Sequence, residues 1–146
     1  MRIYFDSCCL QRPLDDQTQP RIRVESEAVL ALLNVVQSGG IVLLNSEALE
    51  YEMRRIPDKM RCNEVIAVLA LAEERLELTE ATVALAESLE KKGIDPMDAV
   101  HLAFASVAQA DYFTSCDDKL LKKAQTMEKL DCKITSVLNL ISEVIK

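Results

Sequence analysis

The stretch Asp95-Pro96-Met97-Asp98-Ala99-Val100-His101-Leu102-Ala103-Phe104-Ala105, with Tyr112-Phe113-Thr114-Ser115-Cys116-Asp117-Asp118 close behind it, decides how this chain is read. Asp95 is placed to cap a helix and Pro96 stands at its first helical position, where a missing N–H costs nothing. The spacing predicts a helix over 96–108. That helix is apolar on more than one side, His101 apart, so it belongs in an interior rather than on a surface. A short strand, Tyr112-Phe113-Thr114, follows it directly. A buried helix feeding a short apolar strand is half of a βαβ unit, and such units build parallel sheets covered on both faces.

The alternation holds in both directions from there. Arg2-Ile3-Tyr4-Phe5 reads as a first strand, followed by an irregular stretch through Pro20. A helix over 24–37 puts Val29, Leu32, Leu33 and Val36 on one face, and Gly39-Gly40 ends it. A second strand covers 41–44, and Ser46 caps a helix over 47–55 that Pro57 closes off. Then come a helix over 59–72, a strand at 76–78, a helix from the Thr79 cap to Lys91, and the helix and strand quoted above. A helix over 119–128, a strand at 133–134 and an amphipathic helix to Ile145 complete the chain. The expectation is one domain over 1–146, α/β in class: three layers, α/β/α, around a mostly parallel five-stranded sheet. Right-handed crossovers then place the strand C-termini along one edge, where such folds build their sites.

Composition narrows the function. With 146 residues, 49% of them apolar, and a mean hydropathy of +0.06, the chain has globular composition. No apolar run nears the roughly 20 residues of a membrane span, and the N-terminus reads straight into a strand, so a cytoplasmic, membrane-free protein is expected. Only three glycines are present, which removes the P-loop and dinucleotide-binding classes. A net charge of −7 argues against non-specific nucleic-acid binding unless the basic residues are unevenly placed. They are: all eight arginines lie between Arg2 and Arg75. The five cysteines, Cys8, Cys9, Cys62, Cys116 and Cys132, are odd in number and lack C-x-x-C spacing. That spacing argues against a disulfide framework or a structural zinc site. They are expected to pack as small hydrophobes, with redox sensitivity near the site as the alternative.

Four acidic residues stand where strands end or helices begin: Asp6, Glu52, Asp98 and Asp117. Each has an ordinary explanation in turn chemistry, helix-dipole complementarity or solvated surface. Together on one sheet edge they would repel, by roughly 3 kcal/mol for a pair about 5 Å apart at an effective dielectric near 20. A divalent cation among them removes that cost, and oxygen-only ligands suit Mg²⁺ or Mn²⁺. The residues therefore suggest a metal-dependent phosphodiesterase with Asp6, Asp98 and Asp117 as ligands and Glu52 as a further ligand or a base. Ser7 can cap the next turn or bind a metal-bound water, Ser115 is placed to orient such a water, and of the adjacent Asp117 and Asp118 one can serve a metal and the other cap the next helix. Arg12, Arg21 and Arg23 flank the stretch after Asp6 and are candidates for holding a phosphate backbone. His101, the one histidine, lies a turn after Asp98, where a hydrogen-bonded structural role is the commoner outcome.

Taken in order, Ile3-Tyr4-Phe5-Asp6-Ser7, Ser46 through Glu52, Asp95 through Ala103 and Phe113-Thr114-Ser115-Cys116-Asp117-Asp118 resemble the PIN domain, a family of small metal-dependent ribonucleases, over nearly the whole chain. The resemblance places the family's acidic quartet on Asp6, Glu52, Asp98 and Asp117, and its hydroxyl on Ser115, where threonine is usual. It implies an endoribonuclease acting on single-stranded or structured RNA. Like the VapC-like toxins of that family, such a protein would be silenced by an antitoxin and would form a homodimer. The alternative is a PIN-like module without catalysis that acts through a protein partner.

Overall fold

The computed structural model describes residues 1–145. Five strands form one sheet in the order β3-β2-β1-β4-β5, and every pairing is parallel. The strands are β1 (Arg2–Phe5), β2 (Val42–Ser46), β3 (Glu74–Leu76), β4 (Tyr112–Ser115) and β5 (Lys133–Ser136). Among the described residues, eight α-helices connect and cover them: α1 (Ser7–Gln11), α2 (Pro20–Gln37), α3 (Glu47–Arg54), α4 (Lys59–Leu69), α5 (Glu80–Lys91), α6 (Pro96–Val107), α7 (Asp118–Gln125) and α8 (Val137–Val144). The three-layer α/β/α expectation holds, and the sheet is wholly rather than mostly parallel.

Strand β1 is central because it is apolar on both faces. Ile3, Tyr4 and Phe5 are all buried, and Tyr4 stacks on Phe113 of β4 with ring centroids 5.8 Å apart. From β1 the chain moves outward to β2 and β3, then returns to the other side of β1 for β4 and β5. Right-handed crossovers in opposite directions put their helices on opposite faces of the sheet. They also open a crevice outside the C-termini of β1 and β4, where the strand order reverses.

Several local details differ from the sequence expectation. The stretch after Asp6 is not irregular: it holds α1 and a 3₁₀ turn over Arg12–Leu14. Asp6 nucleates α1 by accepting the Ser7 N–H at 2.9 Å. Helix α2 begins at Pro20 rather than near residue 24, since proline at the first position supplies a helical φ without needing an N–H partner. Strand β3 is Glu74–Leu76, not 76–78, and pairs as an edge with β2. Helices α4 and α7 stop at Leu69 and Gln125, short of the expected 72 and 128. Asp95 stands at the N-cap of α6 but makes no side-chain cap bond. Ser46 and Thr79 cap as expected, each accepting an N–H three residues on. Gly39, with φ +87°, ends α2 in the left-handed region that favours glycine.

Candidate active site

The reversal of strand order brings Asp6 to Ser115. Asp6 follows β1 directly, and its N–H bonds the Thr114 carbonyl of β4 at 2.9 Å. Its carboxylate is almost fully buried. Oδ1 accepts from the Ser7 N–H, and Oδ2 accepts from the Ser115 hydroxyl at 2.8 Å. The Ser115 oxygen in turn accepts the Asp117 N–H at 3.0 Å. Ser115 therefore ties the end of β1 to the start of α7. Burial raises the Asp6 pKa well above the usual carboxylate range, the nearby Cys8 thiol adds to this, and Asp98 adds a smaller push.

Asp98 and Asp117 meet at a cleft beside this crevice. It has a volume of about 50 Å³, room for a small cation and a few waters. Asp95, Lys119 and Lys123 line it with them. Asp98 lies in the first turn of α6 and is half-buried. Burial raises its pKa, and Asp117 and then Asp95 add to the shift. Asp117 itself caps α7, accepting from the N–H groups of Lys119 at 3.0 Å and Leu120 at 3.2 Å through Oδ1.

Glu52, late in α3, is joined to a buried network. Its Oε1 lies 2.7 Å from His101 Nε2, His101 Nδ1 lies 2.7 Å from the Tyr4 hydroxyl, and Tyr4 lies 2.7 Å from Ser46 Oγ. A neutral His101 gives one consistent direction of donation: Ser46 to Tyr4, Tyr4 to His101, His101 to Glu52. Burial works to raise the Glu52 pKa, but hydrogen bonds from His101 and Ser7 outweigh it, and the net shift is downward. Tyr4 is pushed well above its ordinary value by burial, which keeps it a donor. Tyr4→Phe removes that donor and leaves the buried His101 Nδ1 without a partner. A loss of about 1–3 kcal/mol is expected, read from the shift of the urea midpoint, and an unchanged midpoint would show that the network adds nothing to stability.

No family model matches the chain, and no curated protein matches it in sequence. Among solved structures, it superposes with a TM-score of 0.58 on a chain of the crystal structure of VapBC2 from Rickettsia felis bound to a DNA fragment from their promoter. The match covers 92% of this chain and 98% of that one at 12% identity, which makes it a likeness of fold. The fold is PIN-like.

Within this PIN-like fold the basic residues fall into two groups. Arg12 and Arg21 are engaged in ion pairs with the chain's own carboxylates. Arg12 pairs with Asp15 at 3.1 Å and Glu25 at 3.3 Å, and Arg21 makes a two-pronged contact with Asp118 at 2.8 Å and a longer one with Glu25 at 3.4 Å. Of the two adjacent aspartates, Asp117 does the capping and Asp118 holds Arg21. Arg23 is exposed on α2 and makes no ion pair among the described residues. Lys119 and Lys123 went unread in the sequence. They lie four residues apart on α7, one turn on the same helix face as the cleft, a spacing that was legible.

The donor set fits a hard cation. Asp6, Asp98 and Asp117 offer only carboxylate oxygens, the chemistry of Mg²⁺ or Mn²⁺. They do not form a tight cage, because among the described residues Cys8, Cys9 and Cys116 are the one set of three potential ligands whose atoms all lie within 4.8 Å of one another. Mg²⁺ retains several waters and takes one or two direct carboxylates, so looser spacing suits it. The mutual repulsion at Asp6 and Asp98 is what such a cation relieves. A raised folded-state pKa means that stability contributed by Asp6 is present at low pH and lost as pH rises through that value. Asp6→Asn is accordingly expected to raise Tm at neutral pH in EDTA by on the order of 1 kcal/mol, or about 3 °C for a chain of this size. A fall in Tm would mean that the Ser7 and Ser115 hydrogen bonds outweigh the burial of charge.

Proposed function

We propose that this chain is a metal-dependent endoribonuclease that hydrolyses a phosphodiester at the crevice between β1 and β4. The observation that carries the reading is the gathering of Asp6, Ser115, Asp98 and Asp117 at the one edge where the strand order reverses, beside Lys119 and Lys123. Mg²⁺ or Mn²⁺ held by Asp6, Asp98 and Asp117 would lower the pKa of the attacking water and offset charge building on the phosphate. Ser115 fixes the Asp6 carboxylate, and the N-terminus of α6 presents Asp98. Glu52, ionised and anchored by His101, is the further ligand or base of this reading. Lys119, Lys123 and the exposed Arg23 offer positive charge for the RNA backbone, while Arg12 and Arg21 brace the protein that carries it.

The likeness to a chain of VapBC2 supports placing the protein in a toxin–antitoxin pair, as the nuclease toxin with an antitoxin partner and a second copy of itself. No helix among the described residues is long and apolar enough to cross a membrane, in keeping with action in the cytoplasm. A second reading, a binding module acting through a protein partner, is favoured by an apolar groove of about 270 Å³ between α3 and α6, lined by Ala48, Tyr51, Leu78, Met97, Val100 and Phe104. Incubating purified protein with mixed single-stranded RNA and Mg²⁺, Mn²⁺ or EDTA separates the two. Cleavage with metal and none with EDTA is expected; no cleavage under any metal, with no heat on Mn²⁺ titration, turns the conclusion to the binding module.

A further inference from the structure

The same reversal that joins Asp6 to Ser115 also joins three cysteines that are far apart in sequence. Cys8 and Cys9 open α1, and Cys116 follows β4. Their sulfurs all lie within 4.8 Å of one another, with Cys9 Sγ and Cys116 Sγ 3.7 Å apart. Tetrahedral zinc with Zn–S bonds near 2.3 Å spaces its sulfurs by roughly 3.8 Å. The Cys9–Cys116 edge already has that length, and small side-chain rotations bring Cys8 to it.

The geometry points to a thiolate site for a soft d¹⁰ cation of the Zn²⁺ class, formed by Cys8, Cys9 and Cys116 and set against the Asp6 side of the crevice. The surroundings are those of a built site. The Cys116 N–H donates to Cys8 Sγ at 3.3 Å, and the Ser115 hydroxyl lies 3.3 Å from the same sulfur. The N–H donor orients a thiolate ligand and disperses its charge, while the Ser115 hydroxyl gives its proton to Asp6. The Arg12 guanidinium lies beside Cys116, and its buried Nε has no hydrogen-bond acceptor, since the Glu25 oxygen 3.3 Å away is an ionic neighbour off the N–H axis. A positive charge there stabilises thiolate. The Asp6 Oδ2 atom lies 3.4 Å from Cys8 Sγ on the crevice side, and because Asp6 belongs to the hard-cation site the fourth position of the thiolate site falls to water.

Binding is an exchange of protons for metal: each coordinating thiol passes its proton to solvent and no electron moves. Sulfur donors select a soft cation, and the oxygen donors of Asp98 and Asp117 select a hard one, so two neighbouring sites are kept distinct by ligand type. Half-buried Cys8 is the point of entry, with Cys9 and Cys116 buried behind it. This site stands on its own geometry and does not depend on the nuclease reading.

The test is titration of the fully reduced protein with Cd²⁺, a spectroscopic stand-in for Zn²⁺, without oxygen. The thiolate-to-metal ultraviolet absorption is expected to saturate at one equivalent, to be reversed by Zn²⁺ and to be untouched by excess Mg²⁺. Cys8→Ser and Cys116→Ala each lower the affinity at least tenfold, while Cys62→Ser combined with Cys132→Ser changes nothing. Absence of a saturating signal, or its loss in the Cys62/Cys132 variant alone, overturns the site. Where a cluster variant fails to fold by circular dichroism, cadmium-113 NMR of the unaltered protein decides, since a sulfur-rich shift supports the site and an oxygen-type shift overturns it. Cleavage activity enters neither readout, so an inactive protein leaves the outcome intact.

Discussion

Asp98→Asn is expected to abolish the proposed metal-dependent RNA cleavage and to leave the protein folded. The expected loss is at least 10²–10³-fold, about 3–4 kcal/mol of transition-state stabilisation, the range found when one electrostatic contact to the reacting centre is removed. Asparagine keeps the shape and the place in the first turn of α6 but removes the charge that a hard cation needs. The fold tolerates the change because Asp98 is raised in pKa by burial and by Asp117 and Asp95, so neutralising it relieves repulsion. The weaker dipole complementarity at the helix start, about 0.3–1 kcal/mol, roughly offsets that relief. Cleavage rates with Mn²⁺ beside a thermal melt in EDTA measure both halves. Undiminished cleavage by a folded variant sinks the nuclease reading.

Arg12→Met is expected to cost about 3 kcal/mol of stability. The Glu25 side chain is only 3% exposed and sits between Arg12, itself largely covered, and Arg21, which is 58% exposed and 3.4 Å away. Removing one partner of a buried ion pair costs roughly 3–5 kcal/mol, because the other charge remains in a poor solvent. Arg21 retains a share of the compensation, which places the effect at the low end. Methionine preserves the packing of the side-chain stem, so the loss reports on charge. A urea denaturation midpoint measures it. If stability holds and cleavage alone falls, Arg12 acts on RNA as its position after Asp6 first suggested. Arg23→Ala gives the contrast, since an exposed and unpaired arginine lost from α2 leaves stability within about 0.5 kcal/mol.

The course of the chain was legible because its signals are local. The Tyr112–Thr114 run, the Pro96 helix start and the Ser46 and Thr79 caps each depend on neighbours within a turn; the strand runs one residue further, to Ser115, and the others stand where the pattern put them. The stretch after Asp6 was misread because no apolar periodicity marks a five-residue helix. What forms α1 is the Asp6 cap together with contacts to β4. Strand β3 slipped for a related reason: an edge strand of three residues, Glu-Arg-Leu, has no continuous apolar run, and its register comes from pairing with β2.

Among the site residues, Asp6, Asp98 and Asp117 were visible as carboxylates at element boundaries, and Ser115 as the hydroxyl between two of them. Their partners were not. That Glu52 is held by His101 and Tyr4, that Arg21 belongs to Asp118, and that Lys119 and Lys123 line the Asp98 cleft all depend on contacts across long sequence separations. The cysteines show the limit most clearly. Spacing gave no sign that they meet, yet Cys8 and Cys116 stand 108 positions apart and in contact. Hydrophobic alternation, caps and breakers act over a few residues, so the chain alone settles the order of elements, the α/β class and the edge where its acids gather. Which charges are neutralised, which are left facing the crevice and which sulfurs meet is decided by the crossover that sets β4 beside β1, because burial and Coulomb energy depend on distance in space.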